Sequence, residues 1–322
     1  MSKNKILQVE NLRKYFPVQG NNLFRKDTVK AVNDVSFHLY KGETYGLVGE
    51  SGSGKSTLGR TLLRIIEPTS GKIMYKDKNI LDLNNRQMSK LRMDLQMVFQ
   101  DPYSSLNPRM KVGKAILEPM NIHKIGDKEN RKETVFKLLE KVGLKPEHYN
   151  RFQKDFSGGQ RQRLVIARSL AVKPKLLVCD ESVSALDVSV QSQIINLFKD
   201  LQEEYQLTYL FISHDLSVIR YISDRVGVMY LGQLVEEGKV DDLFENPLHP
   251  YTQSLISSIP RATNAQKRDR IVLKGDIPSP IDLPKGCFFY SRCPLAKDIC
   301  KNIKPQQKCL DKEHWVACHL YN

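Results

Sequence analysis

Long apolar runs are missing: none in the 322 residues approaches the roughly 20 that a membrane-spanning helix needs. Met1-Ser-Lys-Asn-Lys5 leads into strand-like alternation, not into the apolar core of a signal peptide. The two absences predict a chain made and kept in the cytoplasm. Cysteine is scarce before residue 287, where Cys179 stands alone in an apolar stretch; Cys287, Cys293, Cys300, Cys309 and Cys318 crowd the end. Cytosolic chains seldom keep disulfides, so that crowding points first to metal. No C-x2-C pair occurs, and the spacing C-x5-C-x6-C-x17-C is too irregular for a zinc finger. Internal repeats, long low-complexity segments, coiled coils and a basic tail are also absent.

What is present is the composition of a folded protein, 40% apolar and 27% charged, with enough length for about two domains. The net charge of +14 is spread along the chain. It permits an acidic partner, nucleic acid or an anionic membrane surface, and equally an ordinary solvated surface.

Ile6-Leu-Gln-Val-Glu10 and Val35-Ser-Phe-His-Leu39 alternate like paired strands. Thr44-Tyr-Gly-Leu-Val48 predicts a short buried strand, and Ser56 to Ile66 predicts a helix. Between them stands Gly49-Glu50-Ser51-Gly52-Ser53-Gly54-Lys55-Ser56-Thr57, which fits G-x-x-x-x-G-K-[ST]. Strand, loop, helix is the setting in which that pattern cradles phosphate. Its glycines let successive N–H groups converge on phosphate oxygens, Lys55 adds charge for the β and γ phosphates, and Ser56 offers a hydroxyl to Mg²⁺. Ser157-Gly158-Gly159-Gln160 is a second Gly-rich stretch opening a helix, where N–H groups again meet an anion. Two phosphate-reading devices so far apart suggest a nucleotide held between two subunits.

Two further buried strands end in polar residues: Leu176-Leu-Val-Cys179 in Asp180-Glu181, and Leu207-Thr-Tyr-Leu-Phe-Ile212 in Ser213-His214. Ligands bind at that end of open parallel sheets. Asp180 is placed to hold Mg²⁺, and Glu181 to polarise an attacking water as general base. His214 is placed to sense the γ-phosphate, and Gln100, after Met97-Val-Phe99, to reach Mg²⁺ or that water. The span from Val48 to Leu176 is far longer than a crossover requires. Residues 101–170 read as an inserted helical subdomain, with helices over Lys132 to Val142 and Gln160 to Ala171. After Asn246-Pro-Leu-His-Pro250 the pattern changes, placing residues 1–250 in one domain and 251–322 in a second.

In this order the residues Gly49–Thr57, Gln100, Ser157–Gln160, Asp180-Glu181, Ser184-Ala-Leu-Asp187 and His214 resemble the nucleotide-binding subunits of ABC transporters. They match that family's Walker A, Q-loop, signature, Walker B, D-loop and switch histidine, over roughly residues 5–245. The resemblance implies a RecA-like P-loop α/β core with an N-terminal antiparallel β subdomain and the helical insertion. It implies ATP and Mg²⁺ as ligands, and head-to-tail pairing in which Ser157–Gln160 closes over ATP held by the partner. It also implies an aromatic stacking on adenine; Phe16 is chosen by position, with Tyr15 as rival.

Gln100-Asp-Pro-Tyr-Ser-Ser-Leu-Asn-Pro-Arg109, Ser182-Val-Ser-Ala-Leu-Asp-Val-Ser-Val-Gln191 and Asn246-Pro-Leu-His-Pro-Tyr-Thr252 are similar to the oligopeptide/dipeptide importer ATPases, on the F-type side. So is Gly286-Cys-Phe-Phe-Tyr-Ser-Arg-Cys-Pro294 through Ala317-Cys-His-Leu320. That resemblance implies an ATP hydrolase that energises peptide import, peripheral on the cytoplasmic side of the membrane. A D-type paralogue, two membrane-spanning permease subunits and, indirectly, an extracellular substrate-binding protein would be its partners, with no nucleic acid. It further implies a small Cys-rich C-terminal domain with a [4Fe–4S] cluster on Cys287, Cys293, Cys300 and Cys318, Cys309 lying outside the pattern. Zinc with His314 or His319, or unligated thiols, stays open as an alternative. The competing functions are a soluble ABC ATPase acting on nucleic acid or ribosomes, an importer subunit for a metal complex or other solute, and a non-hydrolysing regulatory subunit.

Overall fold

The computed structural model describes residues 4–19, 26–259, 271–311 and 313–321. They fall into two compact units, one centred on Asp82–Ile212, the other on Lys5–Leu39, Thr44–Leu81 and the residues from Ser213 onward.

In the first unit, strands Leu95–Val98, Leu176–Asp180 and Thr208–Ile212 lie parallel, with Leu176–Asp180 between the other two. Every residue of Leu176–Asp180 and Thr208–Ile212 is buried, which is why both read as unbroken apolar runs. Helix Val188–Tyr205 covers them with Ile194, Phe198 and Leu201, one helical stripe. The helical part holds Arg131–Lys141 and Gly158–Leu170, close to the spans predicted from periodicity, and a further helix, Val112–Ile122, that was not predicted. Ile116, Met120, Val135, Leu139 and Leu164 form their shared interior.

The second unit has two sheets. Lys26–Tyr40, Lys5–Gln19, Ser70–Tyr75 and Lys78–Asn79 make the N-terminal one in that spatial order, with Lys5–Gln19 antiparallel to Ser70–Tyr75. Val35, Phe37 and Leu39 point inward while Ser36, His38 and Tyr40 stay partly open, the period of two seen in the sequence. In the other, Thr44–Val48 runs parallel to Arg225–Tyr230, which turns through Leu231-Gly232 into antiparallel Gln233–Lys239. The buried strand Thr44–Val48 feeds the Gly-rich loop and helix Lys55–Leu62. That helix stops short of the predicted Ile66, because Arg64 turns to φ 51° and bonds Glu67 and the carbonyl of Ile80.

Residues from Pro250 onward are grouped in this same unit. Helix Pro250–Ser257 packs Tyr251 fully inside. Strands His314–Val316 and Lys308–Asp311 extend the sheet beyond Gln233–Lys239. The buried Glu236 carboxylate fixes this edge, accepting the N–H groups of Leu248 and His249 at 2.8 Å each and lying 2.8 Å from His314 Nε2. A buried carboxylate so fully hydrogen-bonded is retained at modest cost.

Candidate nucleotide site

In the second unit the loop Gly49–Gly54 bends where only glycine fits. A Cβ at Gly49 would lie 2.2 Å from the carbonyl oxygen of Met229, and one at Gly54 would lie 2.0 Å from that of Ala31. The Lys55 ammonium turns back beneath the loop, donating to Gly49 O at 2.7 Å, Glu50 O at 2.9 Å and Ser53 Oγ at 3.3 Å. Helix Lys55–Leu62 starts at Gly54 with φ 103° and no side-chain cap. Its first N–H groups and its positive dipole end therefore suit a phosphate. Ser56 and Thr57 stand in the first turn.

Ser213 donates its N–H to the carbonyl of Leu47 at 3.2 Å, which sets the exposed His214 beside the strand that enters the loop. Asp215 then caps helix Leu216–Ile222. Phe16 lies half-buried on strand Lys5–Gln19 with the Lys14 ammonium 4.7 Å from its ring centre. The neighbouring Tyr15 spends its hydroxyl on Asn33 Oδ1 at 2.7 Å, and burial raises its pKa.

In the first unit Asp180 is buried at the end of its strand, and Glu181 follows at φ 47°. A non-glycine residue in that region is strained and is held by its surroundings. Here Ile212 O accepts the Glu181 N–H at 2.9 Å, and Ser184 bonds the Glu181 carbonyl. Gln100 donates to the Glu181 carboxylate at 2.8 Å, so two residues distant in sequence meet at the strand ends. Ser157 and Gln160 cap one another reciprocally at the start of helix Gly158–Leu170. Ser157, Gly158 and Gln160 are exposed, whereas Gly159 is buried where a Cβ would meet Val190 Cγ1 at 2.3 Å. Asp187 caps helix Val188–Tyr205; the Val190 N–H and the Ser189 hydroxyl hold its carboxyl below the usual range.

Each unit thus gathers its own share of the predicted residues. Ser56, Asp180 and Gln100 offer hydroxyl, carboxylate and amide oxygens, the hard donors that Mg²⁺ takes. Burial raises the Cys287 thiol to about 11 and lifts Cys293 and Cys318. Cys309 is exposed on Lys308–Asp311. Among the described residues no three His, Cys, Asp or Glu side chains lie close enough to hold a metal ion, so the predicted cluster geometry is not present. His319 Nε2 is taken by Ile303 O at 2.8 Å, as His314 Nε2 is by Glu236.

Arg292 and Tyr251 were not singled out from sequence. Arg292 grips the Glu50 carboxylate with two bonds of 2.7 and 3.0 Å, and the Tyr251 hydroxyl accepts the Glu50 N–H at 2.8 Å. Nothing in the local sequence of either residue announces a partner in the phosphate loop.

Residues 32–184 match the family model described as ABC transporter, and residues 235–300 match the C-terminal region of oligopeptide/dipeptide transporters. The oligopeptide transport ATP-binding protein AppF of Bacillus subtilis is 54% identical, over 100% of this chain and 99% of its own length. The di/tripeptide transport ATP-binding protein DppF of Pseudomonas aeruginosa is 46% identical over 98% of this chain and 97% of its own. Among solved structures, a dimeric ATP-binding cassette in a post-hydrolysis state bound to ADP and phosphate aligns with a TM-score of 0.65 and 28% identity. It covers 73% of this chain and 98% of that one. The N-terminal antiparallel sheet and the mixed α/β arrangement agree with these matches. The chain belongs to the ABC transporter ATP-binding proteins, in their oligopeptide/dipeptide transporter branch.

Proposed function

We propose that this chain binds and hydrolyses ATP to energise uptake of oligopeptides or dipeptides by an ABC transporter. The Gln100–Glu181 contact at the end of a buried strand carries the catalytic part of this reading. Full-length similarity to peptide transport ATP-binding proteins carries the cargo class and disfavours a nucleic-acid or ribosome ATPase. Phe16 stacks on adenine, and Gly49–Thr57 hold the triphosphate. Ser56, Asp180 and Gln100 are the side chains that would hold Mg²⁺, which would neutralise charge on the nucleotide phosphates when bound. Glu181 takes the proton of the attacking water while Gln100 aligns it, and His214 senses the γ-phosphate. Glu181→Gln should keep ATP affinity while turnover falls about a hundredfold or more, the scale of a lost general base. Near-normal turnover would remove Glu181 from that role.

Residues 1–250 act as the nucleotide-binding domain, and 251–322 as an appended C-terminal region. The exposed Ser157–Gln160 segment serves ATP held by a D-type paralogue, and the pair docks on two permease subunits at the cytoplasmic side of the membrane. Among the described residues no helix is long and apolar enough to cross a membrane. A [4Fe–4S] cluster on Cys287, Cys293, Cys300 and Cys318 rests on the sequence resemblance alone, since the described side chains form no metal-holding group. Anaerobically purified protein should then contain about four irons and be brown, the composition of such a cluster; a colourless, iron-free preparation would sink the proposal.

A further inference from the structure

The second position of the phosphate loop carries a carboxylate. Glu50 sits among N–H groups that converge on phosphate, and an unpaired negative charge there repels a polyphosphate. The structure answers that charge from far along the chain. Arg292, between Phe289 and Cys293, makes a bidentate pair with Glu50, the arrangement that holds charge and direction together. The Arg292 side chain is 8% exposed and that of Glu50 26%, so water screens the pair only in part. The same guanidinium lies 5.9 Å from the centre of the Tyr230 ring. Tyr230 packs against Tyr251 at 4.7 Å and Phe289 at 5.3 Å, and Tyr251 in turn accepts the Glu50 N–H. Side chain and backbone of one loop residue are therefore both held by residues beyond position 250.

We propose that Arg292 is the counter-ion that lets the phosphate loop carry Glu50, so that nucleotide binding requires the segment around Cys287–Cys293 to be docked. Arg292 is a positioning residue: it acts on the nucleotide through Glu50. The inference rests on the ATP-binding reading above, and Lys55→Ala separates the two. The probe is a fluorescent N-methylanthraniloyl ATP with Mg²⁺, titrated into the full chain at low and high salt. Arg292→Ala should weaken binding about tenfold, the scale of a lost charged hydrogen bond. Arg292→Lys should recover part of the loss, because it keeps the charge and loses the fork. Glu50→Gln placed in the Arg292→Ala background should recover most of it, since the repelling charge is then gone. A purely structural role predicts the opposite, a double variant no better than Arg292→Ala.

Amide hydrogen exchange over residues 287–293 supplies a readout independent of affinity. Nucleotide should slow it in the parent chain and leave it unchanged in Arg292→Ala. Unaltered affinity in a folded Arg292→Ala chain, or no recovery in the double variant, overturns the inference. If the parent chain itself binds no ATP, or Lys55→Ala binds as well as the parent, the underlying nucleotide reading fails instead.

Discussion

Glu181 shows how one residue joins backbone strain to chemistry. Its φ of 47° turns the chain sharply after the buried Asp180, and the Ile212 and Ser184 bonds hold the turn. Glutamine at this position still presents an oxygen to the Gln100 amide, so Glu181→Gln preserves the contact and removes only the basic carboxylate. Measured as kcat against ATP affinity, the expected loss falls on kcat alone. The residues of this centre were legible because each closes an apolar strand or fills a spaced motif. The Gln100–Glu181 bond was not, since no local pattern reports a contact across 81 positions.

Helix Pro250–Ser257 carries a pH dependence of its own. His249 caps it, Nδ1 accepting the Tyr251 N–H at 3.1 Å, and burial lowers its pKa to about 4 against Glu236, which raises it. His38, half-buried near Arg225 and Lys5, is likewise lowered to about 4. An unfolded histidine titrates near 6.5, so between pH 6.5 and about 4 the unfolded chain binds more protons. Stability should therefore be fully present above pH 6.5 and decline as pH falls toward 4. Urea midpoints across that range check the slope, and His249→Asn, which keeps a capping acceptor, should make it shallower. An unchanged slope in that variant assigns the acid sensitivity to other groups. Among the elements, Arg131–Lys141 and Gly158–Leu170 were readable from their apolar spacing. The early stop at Leu62 was not, because it depends on the tertiary anchor of Arg64 at Ile80.

For the whole molecule the exposed capping box at Ser157–Gln160 is the telling feature. On the function proposed above, this Gly-rich helix start serves ATP held by another chain. Ser157→Arg in this subunit should leave ATP affinity of the isolated chain intact yet lower turnover of the assembled pair with its paralogue about a hundredfold or more, the usual scale for a lost oxyanion-type donor. The assay compares nucleotide binding to the single chain with phosphate release by the co-purified pair. Full activity in the pair would mean that the segment does not act across the interface.

Motif chemistry is local, so residue type and spacing pointed to the phosphate loop, Asp180-Glu181 and His214, and resemblance to a known family supplied the signature segment and the family. Strand burial likewise followed from unbroken apolar runs. The Arg292–Glu50 pair, the Tyr251 hydroxyl on the loop backbone and the buried Glu236 joining His249 to His314 were decided by the fold. Those contacts depend on which side chains a folded sheet brings within about 3 Å, the reach of a hydrogen bond. Separation along the chain says nothing about that. The sequence thus pointed to phosphate as the ligand of the Gly49–Thr57 loop, and tertiary packing determined what holds that loop in place.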